Sequence, residues 1–212
     1  MNEKFFDLKK EKQDRMINAA LKVFALNGYR HASTDDIVRE AAISKGLLFH
    51  YFENKLGVYA FVYDYSVRYL LLELSTAVDA KETDLFILMQ QVETGKMHAM
   101  CGYPYLQPFL NRAQTENVSE ALLAVEERKQ QLEDYLESVF ARADLGKYAS
   151  AEDAVKLRKM LELTIKGLMN ERILEDAFQP EMLYEEITEY LNLSRRLAER
   201  STQPSDEAFS EK

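Results

Sequence analysis

The stretch Ala41-Ala42-Ile43-Ser44-Lys45-Gly46-Leu47-Leu48-Phe49-His50-Tyr51-Phe52, followed at once by Glu53-Asn54-Lys55, decides the fold. It reads as a tight turn feeding a short helix. Ser44 is placed to cap that helix by accepting from a free backbone N–H, at the end where the helix dipole is positive. Leu48 and Phe52 are four apart and share a face that can be buried, while Lys45, Phe49 and His50 project away from it. A helix this short is not stable alone in water. The preceding Thr34-Asp35-Asp36-Ile37-Val38-Arg39-Glu40-Ala41 supplies a support, with Ile37, Val38 and Ala41 as its apolar stripe and Ser33, three residues before Asp36, as its start signal. Two short helices joined by a three-residue turn, the second presenting aromatic and basic groups, form a helix-turn-helix, which sets its second helix in the DNA major groove.

On the N-terminal side, Phe5 to Asn27 reads as one helix whose Ile17, Ala20, Leu21 and Phe24 form the face toward the pair, with Gly28 as its stop. On the C-terminal side, Lys55 to Val78 is a long aromatic-rich helix that links head to body. Thr83 to Met100 follows, its far end loosened by Gly95 and Gly102. Gly102-Tyr103-Pro104-Tyr105-Leu106-Gln107-Pro108 is the clearest break and suits a pocket wall or entrance, ahead of a short helix near Phe109 to Ala113. Val118 to Ala143 is amphipathic. Ala151 to Asp176 is apolar on two sides, so it needs two partners, and Pro180 opens a last helix striped by Leu183, Ile187, Tyr190, Leu191 and Leu197. The expected fold is all-α: a head over 1–54 with three helices, a helical body over 55–198, and a disordered polar tail over 199–212.

Seven glycines, four prolines and 47% hydrophobic residues suit a helical chain with a sizeable interior. The formal net charge of −9 speaks against a polyanionic partner until its distribution is read. Residues 1–62 hold 10 Lys and Arg against 8 Asp and Glu, while residues 63–212 hold 17 against 28. Only the N-terminal part suits DNA, and the acidic remainder repels phosphates from the wrong side. The single cysteine, Cys101, forms no internal disulfide, no apolar run reaches membrane-spanning length, and the first residues lack a secretory h-region. A cytoplasmic protein without membrane contact is the expectation.

Residues Gln13 to Val58 resemble the N-terminal domain of the TetR/AcrR family of transcriptional regulators. The resemblance rests on Ile17-Asn18-Ala19-Ala20-Leu21-Lys22-Val23-Phe24, Asn27-Gly28-Tyr29, Asp36-Ile37-Val38, Ser44-Lys45-Gly46, Phe49-His50-Tyr51-Phe52 and Asn54-Lys55, and on their joint spacing. It implies that Lys55 meets a DNA phosphate at the start of the long helix, an end that also favours anions by its dipole. The chain departs from the family's usual pattern at Leu47 and Phe49, where a small polar residue and a tyrosine are common, and at Ala42, which stands in place of a turn glycine.

The expected DNA-contacting set is Ser33, Thr34, Ser44, Lys45, Gly46, Leu47, Phe49, His50, Tyr51 and Lys55. Lys45 and Gly46 position the backbone, His50 donates to a phosphate or base edge, and Leu47 and Phe49 offer apolar readout of a thymine methyl unless the spacing turns them inward. For a small-molecule effector the expected lining is Glu93, Met97, Met100, Tyr103, Tyr105, Phe109 and Met160, a concentration of adaptable side chains. Apolar and aromatic compounds are the first candidates, and a cationic group is admissible because Glu93 and Glu162 lie on the same helices. His31, His50 and His98 show no metal-ligand spacing, so neither metal nor other cofactor is expected.

The combined reading is a homodimeric regulator, paired through helices 151–176 and 181–198. It acts as a repressor released from a near-palindromic operator by its ligand, and no catalysis is expected. The competing readings are a DNA-binding regulator without effector, controlled by a protein partner, and more remotely a small helical enzyme using Cys101.

Overall fold

The structure, a computed structural model, describes residues 3–148, 150–174 and 178–200. Among these the regular structure is entirely helical: α1 Lys10–His31, α2 Thr34–Glu40, α3 Lys45–Phe52, α4 Lys55–Ala77, α5 Leu85–Gly102, α6 Leu106–Ala113, α7 Ser119–Phe140, α8 Ala151–Arg172 and α9 Pro180–Arg200. The tail expected over 199–212 therefore begins inside α9, and residues 201–212 lie outside the described residues, as do 175 and 176 at the far end of the helix expected to reach Asp176.

The first helix starts later than expected because Glu3–Asp7 forms a separate 3-10 turn. Gln13 holds that turn by donating to Phe6 O at 3.0 Å and Leu8 O at 2.7 Å. Phe5 is thereby driven fully into the interior, with its ring 5.7 Å from Tyr51, 5.3 Å from Phe52 and 4.8 Å from Phe61. Ile17, Ala20, Leu21 and Phe24 are buried as their spacing requires. Gly28, at φ 66, breaks the α-helix but does not end it; one more turn runs to His31 and closes with Ala32 N–H on Gly28 O.

In the body, Gly95 does the opposite of loosening α5. A Cβ there would stand 3.0 Å from Leu74 Cδ2 and 3.1 Å from Leu74 Cα, so the glycine lets α4 and α5 approach closely. Gly102 likewise stays helical, beneath the Tyr69 hydroxyl.

Two apolar clusters result. The larger runs without interruption from Phe5 through Phe24, Leu48, Tyr59 and Leu70 to Phe109 and Val139, so the 54/55 boundary falls inside one continuous core. The smaller joins α5 to α8 and α9 through Phe86, Met89, Met100, Leu161, Ile165, Leu183 and Ile187. Among the described residues no helix is long and apolar enough to cross a membrane.

Candidate DNA-binding face and body cavity

Serines begin both short helices. Ser33 Oγ accepts from Asp35 N at 3.1 Å and Ser44 Oγ from Leu47 N at 3.2 Å, each satisfying an orphan donor of a first turn. The intervening turn needs a left-handed residue, and Ala42 supplies it at φ 50. A Cβ in that region costs about 1–2 kcal/mol, which explains why a glycine suits the position. Leu48 and Phe52 pin α3 to the core, leaving the other side outward.

On that side Gly46 faces open space, since a Cβ there would meet nothing within 4 Å. Lys45 Nζ lies 2.7 Å from Asp35 Oδ1 on α2, so its charge is shared with a neighbour. His50 is exposed, while Leu47, Phe49 and Tyr51 are half-buried. Tyr51 rests its ring edge-on against Phe5 at 5.7 Å and His50 at 4.9 Å, and Ser33 and Thr34 sit half-buried at the start of α2. The inward and outward alternatives for Leu47 and Phe49 thus resolve into an intermediate one: each gives part of its surface to the core and keeps part outside.

Lys55 departs from the expectation. Its Nζ donates to Tyr29 O at 2.9 Å and Ala32 O at 3.3 Å, and lies 4.4 Å from the centre of the Tyr29 ring. The ammonium is therefore turned onto the last carbonyls of α1, where a cation caps orphan acceptors, and not toward a phosphate. A family pattern specifies the residue type at this position but not the carbonyls brought beside it.

Two polar latches join head to body. At one end of α1, Tyr103 Oη donates to Asp14 Oδ1 at 2.5 Å, meets Tyr65 Oη at 2.6 Å and accepts from Lys10 Nζ at 3.1 Å. Burial first, then the bonds to Asp14 and Tyr65, hold this phenol far above the usual tyrosine range. At the other end, Glu116 accepts from Tyr29 N at 2.9 Å while Tyr29 Oη donates to Glu120 at 2.6 Å. Glu116 also accepts from Asn117 N and Val118 N, and these backbone bonds lower its pKa in spite of the desolvation that opposes them. Sequence reasoning missed both latches, because their partners lie far apart in the chain.

The structure scatters most of the expected ligand set. A cavity of about 600 Å³ opens between α4, α5, α6, α7 and α8, a size that suits a small molecule. Of the seven residues expected to line it, only Glu93 does. Met100 and Phe109 are core, Tyr103 is spent on the latch, Met97 and Tyr105 are half-buried elsewhere, and Met160 is 55% exposed on α8. The lining instead mixes Leu70, Met89, Val92, Leu110, Leu136, Phe140 and Ile165 with Lys96, Gln107, Asn111, Glu162 and Lys166. The usable signal was polar residues three or four apart interrupting apolar helix faces: Glu93 and Lys96, Gln107 and Asn111, Glu162 and Lys166.

Cys101 is a free thiol, exposed near the end of α5. Its thiol donates to Glu181 Oε1 at 3.3 Å, and partial burial together with that carboxylate pushes its pKa up, away from the thiolate. Among the described residues no cluster of His, Cys, Asp or Glu could hold a metal.

The geometry defines a helix-turn-helix head on an all-helical body. Residues 16–60 match the family model described as bacterial regulatory proteins, tetR family. That match covers the helix-turn-helix head, and the similarity to the TetR family rests on it. The chain is 36% identical over 78 residues, 35% of this chain and 26% of the relative, to the HTH-type transcriptional regulator YuxN of Bacillus subtilis. It is 41% identical over 49 residues, 23% of this chain and 37% of the relative, to the HTH-type transcriptional regulator TtgW of Pseudomonas putida. The matched stretches thus span about a quarter to a third of these relatives. The whole fold is similar to a TetR family transcriptional regulator from Chloroflexus aurantiacus, with a TM-score of 0.66, 22% identity and 94% and 96% of the two chains covered. It is also similar to the fatty acid degradation regulator FadR of Bacillus halodurans, with a TM-score of 0.58, 19% identity and coverage of 84% and 96%.

Proposed function

We propose that this chain is a homodimeric DNA-binding transcriptional regulator, a repressor that leaves a near-palindromic operator when a small ligand enters the body cavity. The observation that carries the reading is the division of α3: Leu48 and Phe52 hold one face, while Lys45, Gly46 and His50 stand on the other with open space above Gly46. Backbone N–H groups and a first-turn cation can meet phosphates there, and the exposed parts of Leu47 and Phe49 can meet bases. Residues 1–54 act as the reading head and 55–198 as the sensing and pairing body.

Dimerisation is supported by apolar side chains left outside on two adjacent helices, among them Val155, Met160 and Leu163 on α8 and Met182, Leu193 and Leu197 on α9. Pairing two such surfaces by a twofold axis gives a four-helix contact. Recognition helices roughly 34–36 Å apart would then read two half-sites one helical turn apart.

Selection of bound DNA from a random pool, with and without cell extract, tests the reading. An enriched inverted repeat is the expected result, together with a dimer in sedimentation at micromolar protein. Lys45→Ala should weaken binding about equally on all sequences and reduce the salt slope by about one. No enrichment, or a monomer, removes the proposal. Enrichment that changes only when a protein from the extract is present would transfer control from a small ligand to that partner.

A further inference from the structure

The chemistry of the cavity points to a class of ligand, an inference that rests on reading the cavity as the effector site. A cationic ligand, admissible from sequence, finds its carboxylates already matched. Lys96 Nζ stands 2.7 Å from Glu93 Oε1, and Arg158 lies 3.4 Å from Glu162. Over the whole lining five cations balance five carboxylates, but the pairing is uneven at Lys166. Lys166 Nζ donates to the neutral Gln114 Oε1 at 2.8 Å, and no described carboxylate comes within ion-pair distance of it. Burial first, then the like charges of Lys159 and Lys96, lower its pKa, and Glu162 only partly offsets them. An ammonium in this condition lowers its free energy by meeting an anion. A second observation comes from the same walls, where Gln107 is 7% exposed and its Oε1 has no hydrogen-bond partner among the described residues. That acceptor lacks a donor, which a hydroxyl or N–H elsewhere on the ligand would supply, away from its acidic group.

We propose that the cavity binds an apolar organic anion, with its acidic group at Lys166 and Lys96 and its hydrocarbon body against Leu110, Leu136 and Ile165. A carboxylate is the simplest such head group. The ion pair forms in a half-enclosed site, where charge pairing is screened less than at the surface.

The test is competitive retention by the full-length protein of a mixture of matched straight-chain and phenyl-terminated carboxylic acids, phosphates, alcohols and amines, spanning about four to twelve carbons to suit the cavity. Acids should be retained about tenfold above the alcohols of equal length, with amines retained least. Phosphates retained alongside carboxylates keep the anion class and show that the head group is not selected. Lys166→Met should abolish the preference, with Lys166→Gln as the substitute if that variant fails to fold. Lys166→Arg should keep it, and so should Lys156→Met on an exposed turn of the same helix. Alcohols or amines retained as well as acids would overturn the proposal, as would an unchanged preference in Lys166→Met. Retention of no class would overturn the effector-site reading itself, a failure separate from the other two.

Discussion

The aromatic cluster around Phe24, Tyr59 and Phe109 and the region between α5, α7 and α8 are built from similar apolar side chains, yet one is sealed and the other hollow. In the cluster, Phe5, Phe24, Phe52, Tyr59, Phe61 and Phe109 meet ring to ring, mostly tilted or edge-on, with centroids 4.8 to 6.0 Å apart. In the body, charged and amide side chains interrupt the apolar faces, and these seek water or one another instead of closing the gap. The density of aromatic and Met residues therefore does not announce a cavity. What opens one is polar groups at positions where close packing would strand them.

The sharpest way to break this contrast is to delete side chains on each side of it. Phe109→Ala should cost about 3–5 kcal/mol, because a sealed site cannot collapse, while Leu136→Ala at the cavity should cost only about 1 kcal/mol. Equal losses in chemical denaturation would mean that the two regions are packed alike.

The second effect is spread over several phenols. Burial raises the pKa of Tyr29, Tyr59 and Tyr103, and burial with the nearby charge of Glu133 pushes Tyr63 up to about 12. A raised folded pKa means that the stabilisation is fully present below the unfolded value of about 10 and is lost as pH rises toward the folded values. Thermal unfolding should therefore hold level from neutral pH to about pH 9 and decline above pH 10, less steeply in Tyr103→Phe. A midpoint level to pH 12 would show that these phenols are not sealed.

Lys55 comes next. Lys55→Met should cost about 1–3 kcal/mol in stability by leaving the end of α1 uncapped, with little change in the salt slope of DNA binding. Intact stability with a slope reduced by about one would return the residue to the phosphate role that the family resemblance implies.

The smallest effects belong to the head's surface. Ala42→Gly should stabilise by up to about 1 kcal/mol by relieving the left-handed strain. Asp35→Asn should tighten DNA binding, most at low salt, by releasing Lys45 from its ion pair. Weaker binding in Asp35→Asn would mean that the pair orients Lys45 instead of restraining it.

Legibility from sequence followed the range of the interaction. Ser33 and Ser44 as caps, Leu48 and Phe52 as the buried pair, and α4 as a long helix from Lys55 were readable because each depends on residues within a turn or two. The Phe5 turn, the role of Gly95 and the destination of Lys55 were not, because each is decided by a partner 20 or more residues away: Phe52 and Phe61 for the first, Leu74 for the second, Tyr29 for the third. Cavity lining is the extreme case, since five helices must meet before it exists.

If ligand release works as proposed, the two latches limit how the head can move. Asp14 and Tyr29 are anchored to the body at opposite ends of α1. A rigid object pinned at two points keeps a single rotational freedom, about the line joining the pins. Here that line runs along α1, so while both pins hold, the head can roll but not pitch. Groups about 10 Å from the axis shift by about 2 Å for a roll of about 10°. Any larger excursion of α3 must first unpin one end, which makes the Tyr103 and Glu116 contacts the stops that set its travel.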